Sequence, residues 1–164
     1  MEKCVHNMNH YQAIVAAPGF SIGICCDDDE ITLIDYLKPR LEQTPKTSLA
    51  KEAVRQLRAY LKDSAFIFSL PLAAAGTHFQ RKVWQEIAAI PSGHTTSYGE
   101  LAKAVKSGPR AVGGACGANP YPLIVPCHRV IAASGGLGGF ARQRGGFLLD
   151  TKRWLLEHEH ALAR

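Results

Sequence analysis

The 164-residue sequence lacks the features of membrane-spanning, secreted and disulfide-stapled proteins. No apolar run approaches the roughly 20 residues that cross a bilayer. The N-terminal residues MEKCVHNMNH contain no apolar secretion segment, so we expect a cytoplasmic protein. The five cysteines are an odd number without the spacing of a disulfide framework, and we therefore expect reduced thiols.

Positive charge is concentrated in the second half of the chain. Residues 1–76 contain 8 Lys and Arg against 9 Asp and Glu, whereas residues 77–164 contain 11 against 5. A basic half beside a neutral one indicates a surface that binds a polyanion such as nucleic acid. Scattered lysines that only keep the protein in solution explain the same excess equally well.

The N-terminal part contains short runs with β-strand character, separated by turn residues. The predicted strands are 12–17, 20–26 and 31–37, with 66–71 as a possible fourth, and residues 48–63 have one apolar helical face. We interpret the acidic run DDDE (27–30) as a solvated hairpin tip, with cation binding as the alternative. The pattern predicts a small α+β unit without a catalytic constellation.

The C-terminal part begins with helical patterns. Residues 72–77 join the two parts, and we place the domains at 1–75 and 76–164. Thr77 with Gln80, and Ser97 with Glu100, have the spacing of N-terminal helix caps. Residues 97–105, the turn KSGP and RAVGGACGAN (110–119) predict a helix-turn-helix. The adjacent glycines of its second helix weaken that helix but let it approach another helix or a nucleic-acid backbone.

One cysteine lies in an unusual setting, the stretch LIVPCHRVI (123–131). A reactive thiol needs a nearby base or cation, and His128 directly follows Cys127. Neighbours in a strand point to opposite faces, so their contact requires a bend after Pro126 or a bridging water. Glu157 or Glu159 of the predicted last helix could orient the histidine in a Cys–His–Glu relay. On spacing alone, a structural thiol remains the better interpretation.

The motifs around this cysteine favour a reactive thiol over a structural one. PCHRV (126–130) is preceded by RAVGGACGANPYPLIV and followed by WLLEHE (154–159), and FQRKVW and IPSGHTTSYGELA lie upstream in order. Together they resemble the O6-alkylguanine-DNA alkyltransferases, also called methylated-DNA–protein-cysteine methyltransferases. The resemblance covers residues 77–160. It implies an α+β fold with an N-terminal ribonuclease-H-like α/β domain and a C-terminal winged-helix or helix-turn-helix alkyltransferase domain.

The resemblance also implies a function and the residues that perform it. The implied reaction is DNA repair by irreversible transfer of one alkyl group from O6-alkylguanine, and from O4-alkylthymine, to Cys127. In the family pattern His128 acts on the cysteine through a water, Glu159 holds the histidine, and Asn119 bonds the turn before the acceptor. No cofactor and no metal are implied. The expected partner is double-stranded DNA carrying the lesion, bound by a monomer away from membranes.

A second set of residues matches the family's contacts with DNA and with the extruded base. Arg110 matches the residue that replaces the flipped nucleotide in the stack. Tyr98 matches a tyrosine that crowds the phosphate and donates to guanine. The small face of a recognition helix in the minor groove is matched by Ala111, Gly113 and Gly114, and backbone groups matching Val130 and Ala141 read guanine edges.

Three features depart from the family pattern. The turn KSGP is about two residues shorter than usual. The loop over 135–149 is longer, with Phe140 and Ala141 where many members have tyrosine and serine, and its Arg142 and Arg144 are either phosphate contacts or solvated. Some relatives bind zinc in the N-terminal domain, but Cys4, Cys25, Cys26 and His78 do not make four matched ligands. The consecutive cluster Glu157–His160 also lacks the i, i+4 spacing of metal ligands.

Two other function classes remain as alternatives. A non-catalytic lesion-binding protein would bind alkylated DNA without transfer, although relatives of that kind lack the cysteine. A Cys–His–Glu hydrolase would turn over an ester or peptide, whereas the transferase is consumed one molecule per alkyl group.

Overall fold

The computed structural model describes residues 10–132, 134–137 and 146–162. It divides into a first unit that ends at Ala74 and a second that begins at Ala75. Over the described residues the fold is mixed α/β, with a small antiparallel sheet and five α-helices. None of the helices in these ranges combines the length and apolar character needed to cross a membrane.

The first unit is a three-stranded antiparallel sheet covered by one helix. The strands are β1 (Ala13–Ala17), β2 (Phe20–Cys26) and β3 (Ile31–Leu37), in the order β1-β2-β3. Helix α1 (Ser48–Lys62) begins where the Thr47 hydroxyl accepts from the amide of Ala50, and its buried face packs on β1 and β2. The predicted three strands and helix are therefore confirmed.

The predicted strand over 66–71 is wrong. Only a single parallel bridge forms, between Ile31 and Leu72. The amide of Ile31 donates to the Pro71 carbonyl, and the Ala73 amide donates back to Ile31. Pro71 has no amide hydrogen to extend this ladder. The backbone amide of Ser69 donates to the side-chain oxygen of Gln56 instead of to a strand.

The acidic run forms the exposed turn between β2 and β3. One carboxylate oxygen of Asp27 accepts from the backbone amides of Asp29 and Glu30, both at 2.8 Å. The predicted hairpin tip is thus confirmed, since the side chain serves as a turn-forming acceptor.

The second unit is mainly helical. It contains α2 (His78–Ala88), β4 (Thr96–Ser97), α3 (Tyr98–Ala104), α4 (Pro109–Gly117), β5 (Val130–Ile131) and α5 (Phe147–His158). The predicted caps are present: Thr77 and Gln80 form a reciprocal capping box, and Ser97 accepts from the Glu100 amide. Two boundaries differ from prediction: α4 begins at Pro109 because proline is favoured in the first helical turn, and α5 begins three residues before Asp150.

Helix α4 is held against the rest of this unit by packing on α2 and α3. The buried indole of Trp84 on α2 donates to the Ala115 carbonyl at 2.8 Å. Val112 and Ala115 form the buried face of α4. Because these contacts fix the helix from one side, its other side carries Arg110, Ala111 and Gly114 at the surface.

Candidate active site

Cys127 lies in a single turn of 3-10 helix, Cys127–Arg129, rather than in a strand. The turn closes with the Arg129 amide donating to the Pro126 carbonyl, and the strand β5 follows with only two residues. The bend that the Cys–His pairing requires after Pro126 is therefore present. Both side chains are buried, with 5% of Cys127 and 1% of His128 exposed.

Asn119 connects the end of α4 to Cys127. Its amide nitrogen donates to the Val125 carbonyl at 2.8 Å and to the Cys127 sulfur at 3.2 Å. Its oxygen accepts from the Tyr121 amide. The side chain thus braces the connection before the cysteine, and it also places a donor directly on the sulfur, which favours the thiolate.

His128 is bonded to Glu159 and not to Glu157. Its Nε2 lies 2.9 Å from a Glu159 carboxylate oxygen, and Arg129 donates to both oxygens of that carboxylate from Nε and Nη2. Arg129 also donates to the Ile90 carbonyl. The carboxylate is fully buried in this network, since the side chain of Glu159 has no exposed surface.

The imidazole of His128 is held neutral. Burial lowers its pKa, and the charges of Arg129 and Lys152 lower it further, against the opposing effect of Glu159. A neutral ring that donates from Nε2 to Glu159 has an unprotonated Nδ1. Within the described residues this Nδ1 is buried and has no hydrogen-bond partner.

Two residues that the sequence analysis did not select complete the surroundings of the sulfur. Cys116 on α4 is half-exposed and lies close enough to Cys127 for each thiol to shift the pKa of the other. Lys152 on α5 is fully buried, with its ammonium donating to the Val130 carbonyl at 2.7 Å and lying 5.9 Å from the Tyr98 ring centre. Burial lowers the pKa of Lys152 to about 8, and the two thiols oppose that shift.

The thiol pair has opposite pKa shifts. Hydrogen bonding from Cys127 lowers the pKa of Cys116. The contact with Cys116 and deep burial raise the pKa of Cys127, while Asn119 and Lys152 oppose that rise. The two titrations are coupled, so ionisation of one thiol disfavours ionisation of the other.

The remaining predicted residues fall into two groups. Tyr98, the first residue of α3, is half-buried near both thiols, and burial raises its pKa. Arg110 and Ala111 are exposed on α4, and no described contact joins them to Cys127. Methyl groups built on Gly113 and Gly114 meet no described atom within 4 Å. Val130 is fully buried, whereas Ala141, Phe140, Arg142, Arg144 and Cys4 lie outside the described residues.

Neither candidate metal site, the one in the N-terminal part or the one at Glu157–His160, forms a metal-binding cluster in the described part of the chain. No group of three or more His, Cys, Asp or Glu side chains there could hold an ion. The Cys25 thiol donates to the His10 carbonyl, and the ring of His158 stacks on Trp154 at 4.8 Å. Glu159 is bonded to His128 and Arg129.

A signal for Lys152 was present in the sequence. Lys152, Leu155, Leu156 and Glu159 follow the i, i+3, i+4, i+7 spacing of one helix face, and all four are buried. A lysine on such a face is expected to be paired within the protein. No comparable pattern marks Cys116, because its partner lies across an irregular connection.

Comparisons with known proteins agree on one family. The model for the 6-O-methylguanine DNA methyltransferase DNA-binding domain matches residues 78–161. A methylated-DNA–protein-cysteine methyltransferase of Methanosarcina acetivorans is 38% identical over 91% of this chain and 97% of its own. One from Mycobacterium tuberculosis is 44% identical over 78% of this chain and 76% of its own. The crystal structure of M. tuberculosis OGT in complex with DNA superposes with a TM-score of 0.76 at 38% identity, covering 90% of this chain and 91% of that one.

Proposed function

The chain belongs to the 6-O-methylguanine DNA methyltransferase family, and from this premise we propose that Cys127 is the cysteine that accepts the alkyl group. The chain is thus a methylated-DNA–protein-cysteine methyltransferase that repairs DNA by alkyl transfer. The observation that carries the assignment is the buried Cys127 sulfur, which receives a hydrogen bond from Asn119 and lies in the turn that also holds His128.

The proposed reaction is a displacement at the alkyl carbon of O6-alkylguanine, with O4-alkylthymine as a second substrate. The Cys127 sulfur forms a bond to that carbon while the carbon–O6 bond breaks, and its electron pair stays on the guanine. A proton from Tyr98 to the base improves this leaving group. The product is a thioether without a leaving group of its own, so each molecule acts once. The proposed chemistry uses no cofactor and no metal.

His128, held in place by Glu159, is proposed to remove the proton of the Cys127 thiol. The neutral imidazole offers its unprotonated Nδ1 as a base, and the buried Glu159 carboxylate fixes the ring through Nε2. A water bonded to both Nδ1 and the sulfur is the proposed route, because no direct hydrogen bond joins the two side chains in the described structure.

Helix α4 is proposed to lie in the minor groove of double-stranded DNA. Half-buried Gly113 and exposed Gly114 leave room for the sugar–phosphate backbone, and Arg110 on the same helix fills the space of the extruded nucleotide. Ala111, Gly113 and Gly114 form the small face, while backbone groups of Val130 and Ala141 read the base. Flipping is needed because the alkyl carbon lies inside the duplex.

The finer fold and cellular assignments belong to the same proposal. Residues 1–75 form a ribonuclease-H-like domain, and residues 76–164 form a winged-helix or helix-turn-helix domain that carries the chemistry. The sheet with its single covering helix and the α3–α4 pair support these assignments. The protein is proposed to act as a monomer in the cytoplasm, where it has access to DNA.

The test is the stoichiometry of transfer from an excess of duplex carrying labelled O6-methylguanine. We expect transfer to stop at one methyl group per protein molecule, because the thioether is stable. Cys127→Ala should transfer none and still bind the duplex, whereas Cys26→Ser, which changes a cysteine of the first unit, should transfer normally.

Two outcomes would contradict the proposal. Release of more than one methyl equivalent per protein indicates turnover, as a hydrolase would show. Binding of the lesion by the unaltered protein without any transfer indicates a non-catalytic lesion-binding protein.

A further inference from the structure

A buried lysine lies behind the turn that carries Cys127. Lys152 on α5 has no exposed surface, and no other Lys or Arg of the described ranges is buried. Burying an ammonium is costly because the charge loses its hydration. A methionine of similar length would fill the same volume without that cost, so packing alone does not account for a lysine at this position.

The backbone of Val130 joins this lysine to Cys127. Lys152 Nζ donates to the Val130 carbonyl at 2.7 Å, and the Val130 amide donates to the Cys127 carbonyl. Val130 also pairs with Thr96 of β4, shortly before Tyr98, whose ring centre lies 5.9 Å from the same Nζ. The ammonium is therefore fixed where α5, the 3-10 turn and the start of α3 meet.

The charge of Lys152 favours a thiolate at Cys127. It lowers the pKa of Cys127, and it also lowers the pKa of His128, which disfavours a lasting imidazolium. The stable ionised form of the site is therefore a thiolate beside an ammonium. The charge of Arg129 is balanced separately, because its guanidinium donates to both oxygens of Glu159.

The titratable groups around Lys152 lie on every element packed near it. Burial lowers the pKa of Lys152 to about 8, so the ammonium is charged at neutral pH, and the thiols act to raise that pKa. Opposite charges attract strongly where little water screens them. The groups are Cys127 and His128 in the turn, Cys116 on α4, Tyr98 on α3 and Glu159 on the same face of α5.

On the basis of the proposed function, we propose that Lys152 is a positioning residue of the alkyl transfer, whose ammonium, held on the Val130 carbonyl, supplies the positive charge that stabilises the Cys127 thiolate. Lys152 keeps its own protons. The thiol proton leaves through His128, the thiolate sulfur forms the bond to the alkyl carbon, and the electron pair of the broken carbon–oxygen bond stays on guanine.

The test compares Lys152→Met with the unaltered protein between pH 6 and pH 10. Two rates are measured: modification of Cys127 by iodoacetamide without DNA, and single-turnover methyl transfer from bound O6-methylguanine duplex. Tandem mass spectrometry must locate each iodoacetamide label, because trypsin releases Cys116 and Cys127 in one peptide, residues 111–129. Lys51→Met is the matched control, because it removes one positive charge from an exposed position of α1.

We expect Lys152→Met to slow both reactions about tenfold or more below about pH 8, because a nearby opposite charge shifts a pKa by about 1–3 units. The ratio of the unaltered rate to the variant rate should fall towards one as the pH rises from 8 to 10, since Lys152 loses its charge with a pKa of about 8. A residue that only braces the turn would give the same ratio at every pH. Lys51→Met should keep the unaltered rates.

Lys152→Arg separates the charge from the titration. A guanidinium stays charged over the whole range. We therefore expect this variant to react faster than Lys152→Met at pH 10 as well as at pH 7. Thermal unfolding shows which variants are folded. The unaltered protein supplies a reading without any variant, because its rate of Cys127 modification should rise less steeply above about pH 8.

A Lys152→Met rate equal to the unaltered rate at neutral pH would overturn the proposal. A slow variant whose ratio to the unaltered rate is constant with pH would also overturn it, as would a single-step titration of Cys127 in the unaltered protein. The iodoacetamide rates distinguish these results from failure of the proposed function, since they report the Cys127 thiolate even in a protein that transfers no methyl group.

Discussion

Glu159 illustrates how individual charges set the chemistry of the site. This buried carboxylate is bonded to His128 through one oxygen and to Arg129 through both. A carboxylate alone would raise the pKa of a neighbouring histidine, but the guanidinium balances its charge and burial disfavours the imidazolium. Burial, with a smaller contribution from the charge of Arg129, therefore favours the neutral form of His128 that can act as a base.

Replacement of Arg129 tests this arrangement. We expect Arg129→Gln to lower the free energy of unfolding by about 3–5 kcal/mol, because it removes the guanidinium that compensates the buried Glu159 carboxylate. The same change should raise the pKa of His128, since the Arg129 charge that lowers it is removed. Urea unfolding measures the first effect and an NMR titration of the His128 ring measures the second.

The direction of the His128 pKa shift determines how the free energy of unfolding depends on pH. In the unaltered protein the pKa of His128 is below its value in the unfolded chain, so the unfolded state binds this proton more readily. The contribution of His128 to stability is thus present above about pH 6.5 and falls as the pH drops below it. Arg129→Gln should weaken that fall, and an unchanged His128 titration would contradict the account.

Sequence reasoning at this scale succeeded where chemistry is encoded in a local motif. PCHRV and WLLEHE were sufficient to select Cys127, His128 and Glu159. The structure places Cys127 and His128 in one turn and bonds His128 to Glu159. Helical spacing alone left Glu157 and Glu159 as alternatives. Cys116 was missed because its closeness to Cys127 depends on the path of residues 119–126, which has no periodic pattern.

At the scale of elements, α4 combines a fixed face with an open one. Val112 and Ala115 are buried against the neighbouring helices, whereas added methyl groups on Gly113 and Gly114 would meet no described atom. Glycine in a helix interior costs stability relative to alanine. Packing within the described protein gives no reason for these glycines, which agrees with the proposed close approach to a DNA backbone.

Substitutions at Gly114 should separate stability from binding. Gly114→Ala is expected to raise the free energy of unfolding by about 0.5–1 kcal/mol, because it reduces the freedom of the unfolded chain and nothing opposes the methyl group. Gly114→Leu should weaken duplex binding while the protein stays folded. Urea unfolding and fluorescence anisotropy measure the two effects, and full duplex affinity in Gly114→Leu would argue against a groove-bound α4.

The elements were predictable where periodicity and caps coincide. The capping box at Thr77 and the cap at Ser97 located α2 and α3, and alternation located the three strands. The failures occurred where a strand-like composition lacks a hydrogen-bonding partner. The segment 66–71 is next to a single bridge to one residue of β3. The run around Cys127 forms a 3-10 turn, and only the two residues after that turn belong to a strand.

At the scale of the whole molecule, the two units differ in their proposed duties. The second unit holds Cys116, Cys127, His128, Lys152 and Glu159, and its half of the sequence carries the excess of positive charge. A basic surface raises the rate and affinity of encounter with DNA without selecting a sequence. Selection of the lesion then rests on the acceptor site, and each protein molecule is spent in one transfer.

The most direct measurement is the position of the transferred group. The protein is mixed with a duplex carrying a deuterium-labelled O6-methylguanine, digested with trypsin, and the peptide 111–129 is fragmented. The account predicts one labelled methyl group on Cys127, none on Cys116, and one protein molecule consumed per lesion. A label on another residue, or loss of the lesion with Cys127 unmodified, would contradict it.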